Sequence, residues 1–169
     1  MVRPSPRLRR ALLAAALGSM MLPAAGAQDR ITELTKEYSQ TRDAVRRAKL
    51  LPKLGDLQFE QARKELDAGN YAQALRVMQA YRDEARSATA ALKATSVNAE
   101  RRPGGFKQLQ IHVRKGVREL DQTLMALPDS QREPFETLRK DLLAIEKELI
   151  DLLFPRQPEK LPAREKPKG

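Results

Sequence analysis

The chain has no cysteine, no tryptophan and one histidine, His112. Each shortage removes a class of chemistry. Without cysteine there is no disulfide framework, thiolate nucleophile or cysteine-ligated metal. A lone histidine would leave a zinc site needing three carboxylates, a set that zinc seldom uses. Phe and Tyr together number seven, little material for an enclosing ligand pocket. Glycine is scarce too, and there is no glycine-rich phosphate loop, nucleophile elbow or Ser-His-Asp constellation. Acidic pairs such as Glu146 and Glu148, two apart, face different sides of a helix. The expectation is a non-catalytic protein without cofactor or metal.

What is present begins with an address. MVRPSPRLRR carries four arginines and no acid, ALLAAALGSMML is apolar, and Ala25-Gly26-Ala27 supplies small residues at −3 and −1. That three-part pattern predicts a secretory signal peptide over 1–27, cleaved between Ala27 and Gln28. The apolar run is short of the roughly 20 residues that a membrane span requires. Export to the periplasm or outside the cell is therefore expected.

The net charge of +10 suggests nucleic acid until it is divided. Four charges leave with the signal, and the tail PRQPEKLPAREKPKG holds a further +3, so 28–154 carries only +3. Counterion-release binding needs many phosphate contacts on one face, and an exported protein meets little nucleic acid. Residues 155–169, rich in Pro, Lys, Arg and Glu without an apolar period, read as a disordered basic tail.

Between signal and tail, five helical segments predict one all-α domain over 28–154, an elongated up-and-down bundle. The first, about 29–50, repeats Ile31, Leu34, Tyr38, Thr41, Val45 and Ala48 at spacings of three and four, and Pro52 and Gly55 mark its end. The second runs to Ala68 and stops at Gly69, a left-handed cap. The third starts near Tyr71 and ends before a hinge at Pro103-Gly104-Gly105. The last two are the clearest. Phe106, Leu109, Val113, Val117, Leu120, Leu124 and Leu127 form one stripe, and Phe135, Leu138, Leu142, Ile145, Leu149 and Leu152 another. The short link LPDSQREPF makes them a coiled-coil-like antiparallel hairpin, with Ser130 and Glu133 at capping-box spacing. Basic residues exceed acidic ones by two over 106–127, and acidic exceed basic by three over 129–153, so the flanks are complementary. The hairpin alone can close within one chain or between two.

Residues 58–91 resemble one tetratricopeptide helix pair through Ala62, Gly69, Tyr71 and Ala74. Glu65 stands where that family has an aromatic and Tyr81 where it has a small residue, and there is no second copy, whereas a solenoid needs about three stacked units. The resemblance implies a single helix pair rather than a repeat array. Leu127-Pro128-Asp129-Ser130-Gln131-Arg132 is similar to the Leu-Thr-x-x-Gln-Arg motif of small periplasmic stress chaperones, with Pro128 in place of threonine. That likeness implies an all-helical exported dimer that cradles unfolded clients.

One feature of the surface stands out. Lys107, Ile111, Arg114 and Arg118 follow at spacings of four, three and four, on one line opposite the apolar stripe. This is the candidate interaction face, for an envelope protein, a second copy of the chain, or an anionic lipid or polymer. The plain alternative has Ile111 packed against the first helix and the bases solvated. His112 falls at the edge of the stripe, where a boundary histidine is unremarkable.

Overall fold

The computed structural model describes residues 25–155. The expected signal segment up to residue 24 and the tail from 156 lie outside the described residues. Within them the chain is an all-α bundle with five helices: α1 (Ala25–Gln40), α2 (Ala44–Asp67), α3 (Tyr71–Ala94), α4 (Gly104–Ala126) and α5 (Asp129–Leu153). No helix among the described residues is long and apolar enough to cross a membrane.

The break between the first two helices falls at residues 41–43, not at Pro52 and Gly55. Asp43 caps α2 by accepting from the Arg46 amide at 2.6 Å. The Arg47 guanidinium donates to the Thr41 carbonyl at 3.1 and 2.8 Å and stands over the Tyr38 ring. Pro52 sits inside α2. A mid-helix proline costs about 3 kcal/mol, but its neighbours Leu51 and Leu54 are fully buried, at roughly 1.5–3 kcal/mol per apolar side chain. Burial therefore outweighs the missing backbone bond.

The later boundaries follow their local chemistry. Gly69 takes φ +75 and ends α2, with the Gly69 and Asn70 amides bonded to the Leu66 and Glu65 carbonyls. α3 stops at Ala94, earlier than the expected hinge. Ser96 takes the left-handed φ of 55, and Asn98 Oδ1 accepts the Arg101 amide at 3.0 Å. Pro103-Gly104-Gly105 is not a hinge but the entry to α4, and the expected capping box is not formed. α5 starts from an extended Pro128 with no side-chain cap, whose carbonyl accepts the Gln131 amide at 2.9 Å, while Asp129 pairs with Arg132.

α2 to α5 form a four-helix array in which α2 neighbours α3 and α4, and α5 neighbours the same two, while α1 packs on α2. Ion pairs give the directions. Arg114–Glu146 and Asp121–Arg139 run antiparallel between α4 and α5. Asp56–Lys115 and Arg63–Glu119 advance together along α2 and α4, as do Arg82–Asp141 and Lys93–Glu148 along α3 and α5. The acids of α5 thus serve α3 as well as α4. The core is one cluster in which both predicted leucine-rich stripes are buried or partly buried.

Candidate functional site

The outer face of α4 is open. Lys107, Ile111, Arg114 and Arg118 are all exposed, and Ile111 is 53% exposed. α1 does not cover it, because α1 packs on α2, so the placement of Ile111 against the first helix is overturned. The other exposed residues of α4 are Gly104, Gln108, Lys115, Gln122, Met125 and Ala126. No acid is among them. Its two acids turn aside into ion pairs, Glu119 with Arg63 and Asp121 with Arg139. Of the predicted row, Arg114 is partly committed: its Nε donates to Glu146 Oε1 at 2.6 Å, where Gln110 also donates at 3.1 Å. Lys107 and Arg118 form no ion pair among the described residues. Leu143 on α5 is 37% exposed.

Helix α1 runs through the expected cleavage bond between Ala27 and Gln28.

Behind α4 lies a polar centre that the sequence did not announce. His112 is not at a boundary but buried, 6% exposed. Its Nε2 lies 3.0 Å from Asp56 Oδ1, and its Nδ1 lies 2.9 Å from the Tyr81 hydroxyl. A carboxylate only accepts, so Nε2 carries the proton and, in the neutral ring, Nδ1 accepts from Tyr81. Lys115 adds a second donor to Asp56 Oδ1 at 2.8 Å. Phe59 stacks on the imidazole at 5.4 Å and meets Tyr81 edge-on. Glycine makes room: a Cβ on Gly55 would lie 2.5 Å from His112 Cε1, and one on Gly116 2.7 Å from Tyr81 Cε1.

Burial lowers the His112 pKa below its ordinary value, against the opposing pull of Asp56. Burial also pushes Tyr81 well up, with Asp56 and Glu84 adding to it. Partial burial works against ionisation of Asp56, but hydrogen bonds from Lys115 and His112 outweigh it and the pKa falls. Both imidazole nitrogens are taken within the bundle and the ring is enclosed, so the centre ties α2, α3 and α4 together.

A second polar group joins α1, α2 and α3. The Tyr38 hydroxyl donates to the Glu84 carbonyl at 2.6 Å, and Gln58 Nε2 to Glu84 Oε2 at 2.9 Å. A shallow cleft of about 420 Å³ opens there, with Tyr38, Arg47, Asp83 and Glu84 in its wall. Burial raises the Tyr38 pKa to about 12, with help from Glu84 and against Arg47. Among the described residues no cluster of three His, Asp or Glu side chains could hold a metal ion.

Comparison with protein-family models, curated proteins and solved structures finds no match to this chain.

Proposed function

We propose that this is an exported, non-catalytic protein that binds another component of the cell envelope, docking the outer face of α4 against an acidic amphipathic helix of a partner protein. The observation that carries this reading is the run Lys107, Ile111, Arg114 and Arg118, exposed along about 16 Å of helix axis on a face with no exposed acid. An acidic helix would neutralise Lys107 and Arg118, and Ile111 would give it an apolar anchor. Charge would govern encounter and register, and the buried isoleucine would add affinity. The export step rests on the N-terminal pattern.

The stress-chaperone likeness draws less support. Leu127 is buried, Pro128 opens α5, and Arg132 Nε donates to the Leu127 carbonyl at 3.1 Å. Those residues serve the turn between helices.

The test is capture from envelope extracts with residues 28–169 as bait, at low and high salt, beside Ile111→Ser and a Lys107→Glu/Arg118→Glu double variant. A small protein set that survives high salt and is lost with both variants supports the reading. Capture that is indifferent to both variants refutes the face. Binding only to anionic vesicles, lost at high salt, replaces the protein partner with a lipid surface.

A further inference from the structure

Gln58 is 3% exposed, yet only half of its amide is used. Nε2 donates to Glu84, while Oε1 has no hydrogen-bond partner. A buried carbonyl oxygen without a partner carries the cost of its lost hydration. Its neighbour is equally unusual. Glu119, Asp121, Asp141, Glu146 and Glu148 each lose exposure beside a lysine or arginine. Glu84 is partly buried and forms no ion pair among the described residues. Its carboxylate accepts from the Gln58 amide.

An amide that gives its N–H to one carboxyl oxygen and leaves its own C=O empty is half of a cyclic acid–amide pair. A proton on the other oxygen of Glu84 would complete it by donating to Gln58 Oε1. We propose that Glu84 carries this proton in the closed bundle, and that the proton fastens the end of α1 to α3. The link to α1 is Tyr38, which donates to the carbonyl of Glu84 itself and shares the cleft wall with its side chain. Loss of the proton leaves a partly buried carboxylate without an ion pair and removes the donor that Gln58 Oε1 would accept. Water reaches that carboxylate when α1 lifts and the cleft widens.

None of the charged groups around Glu84 pairs with it among the described residues, and the hydroxyl-bearing Thr35, Ser39 and Ser87 line the same cleft. From α1 there is Tyr38. From α2 there are Gln58 and Arg47, whose guanidinium is committed to the Thr41 carbonyl. On α3, Asp83 adds like charge, Arg82 is held by Asp83 and Asp141, and Tyr81 points to His112. Burial, with a small addition from Asp83 and only partial relief from Gln58, raises the Glu84 pKa to about 7. The ordinary value is 4.5, so the folded state binds the proton more tightly than the unfolded one. This stabilisation is complete below pH 4.5 and is lost as pH rises through 7.

The experiment follows the Glu84 carboxyl carbon by NMR in the full chain, with amide exchange over residues 31–40 corrected for intrinsic rate, from pH 5.5 to 8.5. The carboxyl should titrate near 7, and protection of 31–40 should fall by about ten- to thirtyfold over the same range, since each pKa unit of linkage is a factor of ten and about 1.5 units of the shift from 4.5 to 7 lie above pH 5.5. Glu84→Gln keeps a neutral donor toward Gln58 and should hold protection flat with pH. Tyr38→Phe should lower protection at every pH and remove the step. A carboxyl that titrates in the ordinary range, a step that persists in Glu84→Gln, or a Glu84→Gln chain that fails to fold would each overturn the proposal.

Discussion

Gly55 on α2 and Gly116 on α4 meet the two edges of the Tyr81 ring, Gly55 beside Cε2 and Gly116 beside Cε1. The ring fills the space that two missing side chains leave, and its hydroxyl reaches His112 at the same point. Three helices are thus held at one spacing by one aromatic residue.

Alanine at either glycine should therefore destabilise the fold. A built Cβ at Gly55 falls 2.5 Å from His112 and 2.7 Å from Tyr81, and one at Gly116 falls 2.7 Å from Tyr81. Helix propensity favours alanine by up to about 1 kcal/mol, but overpacking of this severity costs about 1–3 kcal/mol or more. Urea unfolding should show a net loss for Gly55→Ala and Gly116→Ala. Gly104→Ala, with nothing within 4 Å, should be neutral or stabilising. Equal effects at all three would show that the ring is not clamped.

Tyr81→Phe keeps the ring and deletes the hydroxyl, which leaves His112 Nδ1 buried without a partner. A loss of about 1–3 kcal/mol is expected, read as a lower urea midpoint at unchanged slope. An unchanged midpoint would mean that the Tyr81–His112 bond contributes nothing.

His112 also sets an acid limit. Its folded pKa lies below the unfolded value of 6.5, so the unfolded chain binds the proton more readily. The neutral ring contributes stability that is present above pH 6.5 and is lost as pH falls through the depressed folded value. Asp56 acts in the same direction further down, below its ordinary 3.8. Glu84 opposes both, since it gains stability from pH 7 down to 4.5. Unfolding free energy measured between pH 5 and 7 should therefore fall less steeply toward acid in His112→Gln than in the parent chain. It should fall more steeply in Glu84→Gln. Parallel profiles would contradict the assignment.

Charge reversal on the outer face of α4 should leave the fold intact. Lys107 and Arg118 are exposed and form no ion pair among the described residues, and such surface changes stay within about 0.5 kcal/mol. Thermal unfolding of Lys107→Glu/Arg118→Glu should match the parent. Arg114→Ala differs, because it strands Glu146, 8% exposed, without its cation, and a measurable loss is expected. A fold that collapses with the first pair would make Lys107 and Arg118 structural and not a docking face.

The sequence by itself determined the all-α class, the apolar faces and most of the turns. Phe106 to Leu127 and Phe135 to Leu152 read correctly because a helix repeats its buried face every three or four residues. Gly69 read correctly because its left-handed turn is a local matter. The outward line of Lys107, Arg114 and Arg118 was legible for the same reason, since the side opposite a buried stripe faces away from it, whereas the exposure of Ile111 depends on where the first helices pack and was not. The tertiary structure decided the rest. Pro52 and Gly55 resemble a break, but burial of Leu51 and Leu54 carries α2 through them, and Gly55 serves close approach. The parallel setting of α2 beside α4, the enclosure of His112 between Asp56 and Tyr81, and the meeting of Gln58 with Glu84 join residues more than 25 positions apart. No local period encodes such pairs: they are fixed only when whole helix faces choose their neighbours, and that choice is made by packing.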